Sequence, residues 1–100
     1  MGETKIKTEQ ELMQCALEKW GSDSQLDMVI EECAELIDAI QKWRRRRVTS
    51  EKVLEEAVDV ELCLGQLKLM LRSPTLFEKV KNEKLQRLDT LLNGSNLLQK

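Results

Sequence analysis

Glu31-Glu32-Cys33-Ala34-Glu35 and Glu55-Glu56-Ala57-Val58-Asp59 are the stretches whose residue types and spacing could do chemistry. Each sets two carboxylates three residues apart within an apolar pattern. At about 100° per residue, positions i and i+3 lie about 60° apart on one helix face. Glu32 with Glu35, and Glu56 with Asp59, can therefore each converge on one spot. Two such faces brought together make a cage of four carboxylates. Unit charges about 4 Å apart repel by roughly 4 kcal/mol at an effective dielectric near 20, so the cage needs protons or a cation. Oxygen ligands alone favour a hard divalent ion: Mg²⁺, with Mn²⁺ as a substitute.

The sequence contains no histidine. That excludes Ser-His and Cys-His dyads, histidine zinc sites and the Glu-x-x-His pair of di-iron bundles. A Gly-x-x-x-x-Gly-Lys phosphate loop is also missing. Mg²⁺ is commonly held by a few carboxylates together with substrate phosphates. The substrate class that follows is a phosphorylated small molecule, a nucleotide first of all. The metal could polarise a phosphoryl oxygen and help generate hydroxide, and a carboxylate outside its coordination could position that water or take its proton.

Helices must carry these groups. Thr8 and Glu11 read as a capping box opening a first helix, with Leu12, Cys15, Ala16 and Trp20 as its apolar stripe. Gly21 ends it, and Ser22-Asp23-Ser24 reads as a loop. A second helix runs from Ser24 or Gln25 to the arginines. Leu26, Val29, Ile30, Cys33, Leu36, Ile37 and Ile40 form its apolar arc, and Glu32 lies on the edge of that arc. Thr49 or Ser50 caps a third helix reaching about Arg72. Its apolar residues fall on two nearly opposite faces, Val53-Ala57-Val60-Leu64-Leu67-Leu71 and Leu54-Val58-Leu62-Leu69. Glu56 falls inside the first. A helix that is apolar on two sides is buried on two sides, so a homo-oligomer is expected, first of all a two-fold dimer. Ser73-Pro74 starts a fourth helix, and Asn93-Gly94 is expected to stop it.

One hundred residues make one small domain, with a core over about 8–93 and frayed ends at 1–7 and 95–100. The fold class is all-α, a four-helix bundle-like protomer. Net charge is −2, which gives no sign of a general nucleic-acid binder. Cys15, Cys33 and Cys63 lack metal-ligand spacing and read as small buried hydrophobes in a reducing compartment. Without a secretory signal or an apolar run of about 20 residues, the expected location is the cytoplasm, with no membrane partner. Arg44–Arg47 admits three readings: a solvated helix end complementing the macrodipole, a triphosphate-facing cluster, or a nucleic-acid or targeting patch.

Together with Asn82-Glu83-Lys84-Leu85-Gln86-Arg87-Leu88, the two acidic motifs resemble the MazG-like branch of the all-α nucleoside triphosphate pyrophosphohydrolases. The superfamily pattern is E-x-x-E, a variable spacer, then E-x-x-D, and a later helix often carries N-x-K and an arginine. The resemblance covers residues 20 to 90. It implies a MazG-type four-helix core with a shared helical interface, as a dimer or a dimer of dimers. It also implies Mg²⁺-dependent cleavage of (d)NTP to (d)NMP and pyrophosphate, with removal of noncanonical or surplus nucleotides as a use. By position, Glu32, Glu35, Glu56 and Asp59 would be metal ligands, and Glu31 a further acidic residue near the metal or the water. Asn82, Lys84 and Arg87, with Lys81 behind them, would hold phosphate. Trp20 or Trp43 could stack on a base or serve core or interface packing. The competing reading is a non-enzymatic helical adaptor whose carboxylates pair with Arg44–Arg47 or with lysines of the fourth helix.

Overall fold

The computed structural model describes residues 7–98. It is all-α: α1 spans Glu9–Trp20, α2 Ser22–Arg44, α3 Ser50–Leu71 and α4 Pro74–Leu98. The expected fraying at 1–6 and 99–100 lies outside the described residues. Among those described, no helix is long and apolar enough to cross a membrane.

Local signals account for most boundaries. Thr8 N donates to Glu11 Oε1 at 3.0 Å and Glu11 N to Thr8 Oγ1 at 3.1 Å, so the capping box forms as read. Gly21, at φ 86°, is the whole junction between α1 and α2, and its N–H bonds Leu17 O at 2.9 Å. The expected Ser22-Asp23-Ser24 loop is instead the first turn of α2. One glycine free to take a positive φ replaces a three-residue loop. At the other end of α2, Arg46 N donates to Trp43 O and Arg47 N to Lys42 O, both at 2.8 Å, with Arg46 left-handed at φ 60°. This is a Schellman stop built without glycine, at a cost of roughly 1–2 kcal/mol for a residue bearing a Cβ. The arginine run therefore begins as the hairpin turn between α2 and α3.

Asn93-Gly94 does not stop α4, which continues to Leu98. Asn93 Nδ2 bonds Asp89 O at 3.1 Å and Asp89 Oδ1 at 2.9 Å, back along the same helix. Its side chain thus supports the preceding turn instead of capping, and a single helical glycine costs only about 1 kcal/mol.

The core is the antiparallel α2–α3 hairpin, with α1 laid across it. Small side chains let the hairpin close: Ala39 and Cys63 are its buried apolar residues. α1 crosses α3 at Gly65, where an added Cβ would stand 3.4 Å from Met13 Cγ. Its inward residues are Met13, Ala16 and Leu17, whereas Leu12, Cys15 and Trp20 from the expected stripe are exposed. Of the three cysteines, only Cys63 is the buried hydrophobe expected; Cys33 is intermediate and Cys15 exposed. On α2, Met28, Val29, Glu32, Cys33 and Leu36 face inward, while Leu26, Ile30, Ile37 and Ile40 face out. Glu32 is thus within the packed face, not on its edge.

Among the described residues α4 packs on α3 and not on α2, and Glu9, Gln10 and Met13 of α1 line a cleft with its Pro74 and Phe77. Lys68 Nζ sits 4.3 Å over the Phe77 ring and ties α3 to α4 where they meet. The molecule is long, 67 × 41 × 31 Å, with a radius of gyration of 18.5 Å; a compact chain of this length has about 13 Å.

Candidate metal centre

Glu32 and Glu35 come from the middle of α2 and Glu56 from the second turn of α3. One carboxylate oxygen of each lies within 4.8 Å of the others. Glu56 is 7% exposed, Glu32 half-buried and Glu35 exposed, so the group runs from the hairpin core to solvent. Oε2 of Glu32 and Oε2 of Glu56 are both buried with no donor. A buried acceptor without a partner costs about 1–3 kcal/mol, and more when charged. The cluster is therefore rich in acceptors and poor in donors, which is what a hard cation requires of its ligands.

Burial, then the charges of Glu35, Asp59 and Glu56, push the Glu32 carboxyl above its ordinary value, and a hydrogen bond to Glu35 favours the protonated form further. A group raised in this way binds protons more readily folded than unfolded. Its destabilising effect is absent below the unfolded value near 4.5 and complete above the raised folded value. In chelator, the melting temperature should therefore fall as pH climbs through that interval, and Glu32→Gln should flatten the slope. Parallel pH profiles of wild type and variant by calorimetry would disprove it. The same burial, with the charges of Glu32 and Asp59 and the Cys33 thiol behind it, raises the Cys63 thiol, so this buried sulfur is inert.

Asp59 is exposed and outside the three-oxygen group, although its charge reaches Glu32. Glu31 is exposed on α2. Asn82, Lys84, Arg87 and Lys81 are all exposed on α4, which has no contact with α2. Lys81 and Lys84 instead rim a groove of about 950 Å³ between α3 and α4, walled by Leu64, Leu71, Leu76, Phe77 and Val80. Trp20 and Trp43 are exposed at the C-terminal ends of α1 and α2. One chain thus assembles the acidic centre and leaves the cationic residues of α4 apart from it.

Lys52 was not anticipated. Its Nζ lies 2.9 Å from Glu56 Oε1, one helical turn away. The hydrogen bond and charge of Glu56, with Glu55 and Glu35 behind them, raise the Lys52 ammonium above its ordinary value. The Lys-Glu spacing of i, i+4 was the available signal. Gln66, 7% exposed with Oε1 buried and unpartnered, was also missed; it continues the Glu56-Cys63 line of α3 by helical spacing. Among the described residues the ion pairs are Lys52–Glu56 and Lys42–Asp38, and neither Arg44–Arg47 nor the lysines of α4 pair with the acidic motifs. Comparison of the chain with protein-family models, curated proteins and solved structures gives no match.

Proposed function

We propose that the chain is a Mg²⁺-dependent nucleoside triphosphate pyrophosphohydrolase, acting as a two-fold homo-oligomer. The observation that carries this reading is the three-carboxylate group at the hairpin core, with two buried oxygens that lack any donor. Glu32, Glu35 and Glu56 would hold the metal, with Asp59, whose charge acts on Glu32, as the fourth ligand. Bound there, Mg²⁺ would supply charge stabilisation to a phosphoryl oxygen and acidify a water. Glu31, an exposed carboxylate outside that set, would orient that water or accept its proton. Attack at the α-phosphorus breaks its bond to the bridging oxygen and leaves a monophosphate and pyrophosphate.

Exposed surface supports the oligomer. The chain exposes 8722 Å², whereas a compact monomer of its mass exposes about 5,800 Å². The uncovered part includes Ile30 and Ile37 on α2, Leu54 and Val58 on α3, and Leu91 and Leu92 on α4. In such an assembly the cations of α4, Lys84 and Arg87 first, with Asn82 and Lys81, would reach triphosphate bound at a neighbouring acidic centre. Trp20 and Trp43 are the tryptophan faces open to a base. The resemblance of the acidic and N-x-K motifs to the MazG-like enzymes agrees with this reading.

The second reading, a helical interaction module without catalysis, draws on the Lys52–Glu56 bridge, which gives Glu56 a structural partner. Incubation with a panel of ribo- and deoxynucleoside triphosphates and Mg²⁺, with products separated chromatographically, decides between them. Monophosphate with pyrophosphate is the expected result. Diphosphate with orthophosphate would refute the site of cleavage, and no turnover of any nucleotide would favour the module.

A further inference from the structure

The acidic centre already has one cation beside it. Lys52 Nζ reaches Glu56 Oε1 at 2.9 Å from a side chain that is 50% exposed, whereas that of Glu56 is 9% exposed. The bridge occupies one of the two Glu56 oxygens and leaves buried Oε2, like Oε2 of Glu32, without a donor. A single ammonium at the solvent side therefore offsets part of a charge set by Glu32, Glu35 and Glu56 together. The oxygen it holds belongs to a residue whose carboxylate is needed in the metal group. A divalent cation taken up at the free Oε2 of the same carboxylate would stand only a few ångströms from that ammonium, and like charges repel strongly at such range. Lysine is also suited to leave: its charge rides on a flexible four-carbon stem, and its exposed position lets it rehydrate without opening the fold.

We propose that Lys52 is a tethered counter-ion that holds Glu56 in the metal-free protein, must leave Glu56 Oε1 when a divalent cation binds, and thereby sets the cation concentration at which the centre fills. This rests on the metal-binding reading of the centre. Lys52 is a positioning residue here, acting through Glu56. Removing it raises the free energy of the empty centre, so that the cation no longer has to displace a competitor and binds more tightly.

Calorimetric titration of the full chain with Mn²⁺ tests this, using wild type, Lys52→Met, Lys42→Met and Glu56→Gln. Lys42, bridged to Asp38 at 2.8 Å elsewhere on α2, controls for the loss of one positive charge. Lys52→Met should bind about tenfold more tightly, melt at a lower temperature without metal, and regain the wild-type melting temperature at saturation. Lys42→Met should bind as wild type does. Independently of any variant, the ¹⁵N ammonium resonance of Lys52 should lose its hydrogen-bonded signature when Mg²⁺ is added to wild type. Wild type and Lys52→Met binding Mn²⁺ equally, or a Lys52 resonance indifferent to Mg²⁺ at saturation, would overturn the counter-ion and leave the metal centre standing. No binding by wild type or variant would overturn both.

Discussion

Glu56→Gln is expected to melt at a higher temperature than wild type in chelator, to lose the stabilisation by Mg²⁺, and to lose pyrophosphohydrolysis by about a thousandfold or more. The sign of the first effect is a competition. Against Glu56 stand two carboxylates with oxygens inside 4.8 Å, each repelling it by roughly 3–4 kcal/mol at an effective dielectric near 20. In its favour stands Lys52 at 2.9 Å, which on the same scale attracts it by roughly 6 kcal/mol, so the two repulsions together exceed the one attraction by only a little. Glutamine keeps the shape, removes the repulsion, and brings an amide that can donate to a neighbouring oxygen such as the unpartnered Oε2 of Glu32. Screening at the exposed Glu35 edge reduces the gain, leaving a net stabilisation on the order of 1 kcal/mol, or about 4–8 °C for a domain of this size. The loss of activity follows from removing the most buried metal ligand, since a bound metal supplies several kcal/mol of charge stabilisation. Melting curves with EDTA and with Mg²⁺, alongside product assays, read all three effects. A large drop in stability, of about 3–5 kcal/mol as for a broken buried ion pair, with the Mg²⁺ response unchanged, would mean that Glu56 serves Lys52 and not a metal.

The acidic centre was legible because two features coincided: carboxylates three apart on each of two helices, and one glutamate inside an apolar arc. Helical spacing alone then brings Glu32 and Glu35 to one place and, across a short hairpin, faces them with Glu56. The starts of α1 and α4 were equally readable, since the Thr8–Glu11 box and Pro74 act within one turn of chain, whereas α2 starts at Ser22 without a side-chain cap to mark it. Stop signals were weaker. Gly94 has nothing within 4 Å of a Cβ built on it, so its only effect is a propensity cost that the rest of α4 outweighs. The inward phase of α1 and α2 was misjudged for a different reason. Periodicity marks every apolar residue, but the hairpin closes where side chains are small, at Ala39 and Cys63. That choice turns Ile30 and Ile37 outward and draws Glu32 in. Lys52 escaped because lysine four residues before glutamate is commonplace on solvated helices, and only burial of Glu56 makes it significant.

If the proposed two-fold interface covers α2, Ile37→Lys is expected to give a monomer and to lower the melting temperature by about 10 °C or more at micromolar concentration. Within one chain the substitution is nearly neutral: Ile37 is 58% exposed, lysine is a good helix former, and surface changes usually stay within about 0.5 kcal/mol. In a two-fold interface the same position occurs twice, so each dimer would bury two ammonium groups without partners. A buried polar group lacking a partner costs roughly 2–7 kcal/mol, and a charge costs more. The contrast between these magnitudes makes the substitution a measure of what covers α2. The need for a cover is physical. α4 is 25 residues long, about 37 Å, with Leu91 69% and Leu92 74% exposed and, among the described residues, its packing mainly on α3. Isolated helices are marginal in water, and packing of an apolar face supplies most of their stability in proteins. Sedimentation equilibrium and melting across a hundredfold range of concentration test the expectation, because the melting temperature of an obligate oligomer rises with concentration. Wild type should be oligomeric and concentration-dependent, and the variant monomeric and less stable. A monomeric, concentration-independent wild type matched by the variant would sink the shared helical interface, and with it the supply of Lys84 and Arg87 from a neighbouring copy to the acidic centre.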